Sequence, residues 1–172
     1  MNFSIVATMR HLLAPRHELS VSWFLWRRLL ARLRERGQGM SRESGAFLLG
    51  RQSGVRAQIT DFVLYDDLDA HCLDTGIVRF DGRHFGILWE DCNRRGLSVI
   101  ADVHVHPGGS GQSDSDCHHP MISRAGHLAL ILPNFASPPV AIKEVGIYRY
   151  LGGKKWHVVP RKERSSFLFV GF

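Results

Sequence analysis

The residues with the clearest capacity for chemistry lie in one stretch, Ala101-Asp-Val-His104-Val-His106-Pro-Gly-Gly-Ser-Gly-Gln-Ser113-Asp-Ser-Asp116. On a β-strand, residues two apart project to the same face, so His104 and His106 can aim both imidazoles at one point about 2.0–2.1 Å from each, the usual zinc–nitrogen distance. Pro107 has no amide hydrogen for a strand ladder and ends the strand. The glycines that follow let the chain fold back so that the Asp116 carboxylate can become a third ligand. Three protein ligands leave one position for water, whose pKa zinc lowers to about 7, and that pattern belongs to catalytic sites. Each piece also has a plainer use. Paired histidines occur as hydrogen-bonding strand residues, and Ser113-x-x-Asp116 has the spacing of a helix capping box. Cys117, His118 and His119 sit beside the third ligand and read as surface or supporting residues, because a catalytic metal needs a vacancy.

The elements that position these residues can be read from periodicity and turn chemistry. Ser20 or Ser22 can cap a helix running to about Arg36, with Gly37 as its stop, and Trp23, Trp26, Leu30 and Leu33 form its expected buried stripe. Strands are predicted over 2–8, 43–50, 57–64, 97–106, 127–132 and 140–150, with the rigid Ser137-Pro138-Pro139 loop before the last. A second helix lies between 57–64 and 97–106. Asp81 caps it, Phe85, Leu88 and Trp89 face inward, and Arg94, Arg95 and Gly96 end it. His127 is expected to open a core strand, and the apolar tail Ser166–Phe172 to pack as a last one. The class is α/β, or α+β: a mixed sheet flanked by helices, in one domain over 1–172 with an N-terminal extension (1–19) and a C-terminal tail (160–172).

At 172 residues, with 44% hydrophobic and 22% charged, the chain has enough apolar material for one core and is not compositionally disordered. Its three cysteines are odd in number and never spaced C-x-x-C, which argues against a disulfide framework or an all-cysteine zinc site. The apolar runs are far shorter than a bilayer span, and Met1–Val6 lacks the basic and apolar regions of a signal peptide, so a cytoplasmic protein with no membrane association is expected. The net charge of +6 resides largely in Arg27, Arg28, Arg32, Arg34, Arg36 and in Lys154, Lys155, Arg161, Lys162, Arg164. Neither group carries stacking aromatics at a nucleic-acid motif spacing. They read as a solvated helix face and a basic tail, and nucleic acid is not an expected partner.

Taken together, Glu43 within Glu43-Ser-Gly-Ala-Phe-Leu-Leu-Gly50, then His104, His106 and Pro107, then Ser113 and Asp116, resemble the JAMM, or MPN-plus, zinc metalloprotease family. That family's pattern is a distant Glu, H-x-H-P, a short loop and S-x-x-D. Motif and element order agree from about Ser20 to Tyr150. The run His119–Pro133 looks most like that of small bacterial members which accompany ubiquitin-like conjugation machinery. The resemblance implies a JAMM/MPN-like (cytidine-deaminase-like) domain with one Zn2+ held by His104, His106 and Asp116. It makes Glu43 the general base toward the attacking water and Ser113 a hydroxyl donor to the oxyanion. It further implies hydrolysis of an isopeptide or peptide bond at the C-terminus of a ubiquitin-like protein. That protein and its conjugates would be the partners, with its activating and conjugating enzymes as associates, in a bacterial and antiviral-defence setting.

Two departures stand out. Val105 replaces the family's usual Ser or Thr, with its side chain facing away from the metal. The Pro107–Ser113 loop is a residue shorter than in familiar eukaryotic members, which leaves Asp114 as an alternative third ligand to Asp116; only the latter keeps the three-residue offset from Ser113. The lack of long insertions points to removal or maturation of a single modifier. Rival readings are a protease trimming a β-grasp sulfur carrier by the same bond chemistry, and a metal-free scaffold, for which the full set of five residues has no physical need.

Overall fold

The computed structural model describes residues 17–171. In chain order these form β1 (Leu19–Ser22), α1 (Trp23–Arg36), β2 (Gly45–Ser53), β3 (Arg56–Leu64), the one-turn α2 (Tyr65–Leu68), α3 (Phe85–Arg95), β4 (Ser98–Val105), the short α4 (Asp114–His118), β5 (Leu128–Leu132), β6 (Gly146–Gly152), β7 (Lys155–Val158), the one-turn α5 (Arg164–Phe167) and β8 (Leu168–Gly171). The strands make one mixed eight-stranded sheet in the order β7-β6-β5-β4-β2-β3-β1-β8. β2 is antiparallel to both β3 and β4, whereas β4 and β5 run parallel. The class is the expected α+β.

Period-two alternation divides the core between the two faces of the sheet. Ala46 and Leu48 of β2, Val103 and Val105 of β4, and Leu130 and Leu132 of β5 pack with Leu25, Trp26, Leu29 and Leu33 of α1. Phe47 and Leu49 point the other way, onto Tyr65, Leu73 and the α3 residues Leu88 and Cys92. Val105 is therefore in the α1-side core, while Asp102 and His104, one residue out of step, belong to the α3 side.

Several expectations shift once packing is seen. The strand predicted over 2–8 lies outside the described residues. Leu19–Ser22, read as the approach to the first helix, is a strand flanked on both sides by parallel neighbours; four residues are too few for alternation to register in the sequence. Ser22 caps α1, its hydroxyl accepting from Leu25 N at 3.3 Å. The buried stripe of α1 is Leu25, Trp26, Leu29 and Leu33. Trp23 stays 46% exposed and receives the Arg27 guanidinium over its ring instead. Trp89 is likewise mostly outside the core, whereas Leu88 and Cys92 are buried. Asp81 caps a 3₁₀ turn, Gly82–His84, that leads directly into α3. The region predicted as strand over 140–150 begins with a second such turn, Ile142–Glu144, and β6 starts only at Gly146. The C-terminal tail does pack as a strand, with Leu168 buried and paired to Leu19.

A polar cluster lies inside this apolar frame. Asp102 and His127 are both buried, with His127 Nε2 2.6 Å from Asp102 Oδ1. The Tyr65 hydroxyl donates to Asp102 Oδ2 at 3.3 Å. Burial, and next the Asp102 charge, push the Tyr65 hydroxyl well above its ordinary pKa, so it remains a donor. Replacing one member of a buried pair leaves the other without compensation. His127→Ala should therefore cost about 1–3 kcal/mol in urea unfolding, the penalty of a buried acceptor left without its partner; no measurable loss would show that Asp102 does not depend on His127.

Candidate metal centre

His104 and His106 stand at the C-terminal end of β4, where the backbone ladder to β5 continues one residue past the strand through His106 N and Leu132 O at 2.9 Å. Pro107 then ends it. The chain crosses the sheet end through the glycine loop and into α4, whose N-cap is Ser113. The capping box is complete: the Ser113 hydroxyl accepts from Asp116 N at 3.2 Å, and Ser113 N donates to Asp116 Oδ2 at 2.7 Å. The hydroxyl also gives its one hydrogen to Oδ2, at 2.8 Å. Oδ2 is thereby satisfied, and Oδ1 is the oxygen nearer His104.

These turns bring His104, His106 and Asp116 together, with ligand atoms all within 4.8 Å of one another. The two Nε2 atoms are 2.9 Å apart. His104 Nε2 lies 3.3 Å from Asp116 Oδ1, and His106 Nε2 lies 3.3 Å from Oδ2. Ligand atoms about 2.0–2.1 Å from one ion at tetrahedral angles stand about 3.3–3.4 Å apart, so spacing and donor type both suit a divalent ion that accepts nitrogen and oxygen. Asp114 is exposed and outside this group, its backbone carbonyl oxygen 2.7 Å from His118 Nδ1. His118 and His119 are exposed and Cys117 is partly buried; all three stand apart from the three-donor group.

Glu43 arrives from the opposite side, two residues before β2. Its amide donates to Gly76 O at 2.9 Å, and its Oε2 accepts from Val78 N at 3.5 Å. Oε1 faces the site, 4.0 Å from His106 Nε2. The side chains are 12% exposed for each histidine, 21% for Asp116 and 17% for Glu43, enough for a reactant to reach them. β2 can lie this close because Gly45, paired with His104, has no side chain: a Cβ there would come within 2.2 Å of the Tyr65 ring.

The charges are mutually adjusted. Burial acts to lower the His104 pKa, but the Asp116 hydrogen bond and charge, with Asp102 and Glu43 behind, outweigh it and raise it. Burial acts to raise Asp116, but hydrogen bonds from both imidazoles, the His104 charge and the Ser113 amide hold its carboxyl well below the usual range. The Asp116 carboxylate is thereby stabilised by the imidazoles that face it. Sequence reasoning did not identify the Gly76–Val78 segment behind Glu43, or the hydrogen bonds from Tyr148 and Trp156 to the crossover. Their only sequence signal is polar-tipped aromatics on strands, which is common to many cores.

No protein-family model matches the chain. Over 67 residues it is 36% identical to the probable metalloprotease y4jG of Sinorhizobium fredii, a match covering 39% of this chain and 41% of that protein. The chain thus aligns with less than half of that relative's length. The solution structure of protein DSY2949 from Desulfitobacterium hafniense shares the fold, with a TM-score of 0.64 at 16% identity over 88% of this chain and 92% of that one. Among the described residues, no helix is long and apolar enough to cross a membrane. Zinc per chain, measured by plasma mass spectrometry, should be near stoichiometric in the native protein and in Asp114→Ala, and lost in His106→Ala and Asp116→Ala. Retention of zinc in Asp116→Ala would remove that residue from the ligand set.

Proposed function

We propose that this chain is a JAMM-type zinc peptidase that hydrolyses the bond after the C-terminal glycine of a ubiquitin-like protein, removing that modifier from conjugates or maturing its precursor. The observation that carries the reading is the convergence of His104, His106 and Asp116 with the Glu43 carboxylate beside them. The partial likeness to a protein described as a probable metalloprotease supports a metal-dependent peptidase. The order Glu43, His104-x-His106-Pro107, Ser113-x-x-Asp116 supports the JAMM type.

Zinc bound by the three donors supplies Lewis acidity, which polarises a carbonyl and acidifies water. Glu43 does the proton transfer: Oε2 stays anchored on Val78 N, and Oε1 accepts the proton of the attacking water and later delivers it to the departing amine. His104 and His106 would hold the ion through their imidazole nitrogens and Asp116 through a carboxylate oxygen. Ser113 has two tasks. Its amide keeps Asp116 Oδ2 in place, and its hydroxyl, turned from Oδ2 toward the substrate oxygen, donates to the oxyanion.

The substrate class is proposed on the family pattern. An extended, glycine-ended tail can pair its backbone with a sheet edge or loop and present its last carbonyl at the cleft. The sequence's lack of long insertions favours one modifier over linkage-specific chain cleavage. Glu43→Gln should retain zinc yet lose about 10²–10⁴-fold in turnover of ubiquitin-like fusions and lysine-linked conjugates. Unchanged turnover would remove Glu43 as the base, and cleavage of linear fusions alone would identify the sulfur-carrier processing protease.

A further inference from the structure

We infer that the β6–β7 hairpin positions the third metal donor, with Tyr148 and Trp156 as positioning residues that fix Asp116 relative to the two histidines. The inference rests on the metal reading above and concerns how the donor set is held together.

His104 and His106 share a strand and so are mutually fixed by the backbone. Asp116 is not. It stands on a helix of five residues, too short to be stable alone, in a crossover whose residues 113–115 are exposed. The capping box fixes Asp116 against Ser113, but both belong to the same crossover and would move together. Something outside it must set the distance from the carboxylate to the imidazoles.

Contacts from one hairpin do so on both sides of the donor. Before it, the Tyr148 hydroxyl donates to Ser110 O at 2.6 Å. There the loop lies so close to β6 that a Cβ on Gly146 would stand 2.2 Å from the same oxygen, so the glycine is what lets the loop seat. After it, Trp156 Nε1 donates to Cys117 O, the residue following Asp116, at 3.1 Å. Segment 110–117 is therefore gripped at both ends by residues of β6 and β7, and Ser113 and Asp116 lie between the grips.

The hairpin is itself referenced to the histidines. Tyr148, Ala129 and Ile131 form a small cluster with Trp156 packed against it, and Tyr150 lies against the Trp156 ring at 4.9 Å. Ile131 is the β5 partner of His104 in the parallel ladder. A short, packed path thus runs from His104 through β5 to the two aromatic rings and back through their polar tips to the crossover. Donor geometry in metal sites is set by such supporting hydrogen bonds, and their loss is felt in affinity.

Tyr148→Phe deletes only the hydroxyl donor, whereas Trp156→Phe deletes the indole N–H together with part of the packed ring. The test titrates zinc into the metal-free full-length variants against a chromophoric chelator and records the visible absorption of their cobalt forms, with Val158→Ala on the same hairpin as control. The native protein and Val158→Ala should bind alike. Each aromatic variant should bind zinc about three- to tenfold more weakly, the equivalent of one neutral hydrogen bond, with a changed cobalt band and a near-native melting temperature in chelator. Native-level zinc affinity and an unchanged cobalt spectrum in both aromatic variants would overturn the inference and leave the metal site standing. A collapse of both melting temperatures would also overturn it, by assigning the two residues to the core. Failure of the native protein to bind zinc would overturn the metal reading, and this inference with it.

Discussion

The parallel pairing of β4 with β5 is the constraint on which the site depends. Parallel neighbours cannot be joined by a tight turn, so the chain must leave the sheet at His106 and travel back to the start of β5 at Leu128. The crossover therefore begins where the two imidazoles stand, and its first turns deliver Ser113 and Asp116 to the same place. β2, antiparallel to β4 on the other side, starts opposite His104 at Gly45, so the residues just before it arrive there as well. Glu43 is one of them. Glu43 thus meets the 104–116 stretch, distant from it in sequence, because of strand direction and register, at the carboxyl end of a parallel strand where α/β sheets commonly place ligands.

That end of the sheet gathers carboxylates in a protein whose net charge is +6. Glu43, Asp102 and Asp116 all act on His104. Asp102 shares the α3 side of β4 with His104, but both its oxygens are engaged, one by His127 and one by Tyr65. Its charge is thereby spent on the interior. Glu43 has one oxygen on a backbone amide and one toward the histidines. Asp116 is restrained by two Ser113 donors on the same oxygen, which leaves the other for a cation.

Much of this was legible in the sequence. The i, i+2 histidines, the proline stop and the three-residue offset from Ser113 to Asp116 are local rules, and local rules survive folding: the capping box and the imidazole pair both appear where spacing placed them. The strands read over 43–50 and 57–64 form as Gly45–Ser53 and Arg56–Leu64, legible as apolar, β-prone runs between turn residues, and the helix ending at Arg36 was legible from its cap and stop. What could not be read is long-range. β1 is too short to show a period, and the rotation of α1, which leaves Trp23 outside and buries Leu25 and Leu29, depends on what the sheet presents to it. The pairing of Asp102 with His127 and Tyr65 and the grips of Tyr148 and Trp156 join positions 25 to 39 residues apart, and no pattern along the chain encodes such meetings.

The pairing of Leu19 with Leu168 brings together strands from opposite ends of the described chain. It bears on the order of assembly. β2 and β4 to β7 find their neighbours within the 45–158 stretch, β3 alone among these strands also pairing with β1, and the candidate metal donors lie inside it. β1 gains its second neighbour only when β8 arrives, a closure with a large loop-entropy cost that belongs late in folding. The donor end of the sheet can thus take shape on a growing chain while the β1–β8 border is still open. The last contacts to form, and the first to fray, are then the ones that matter least to the chemistry.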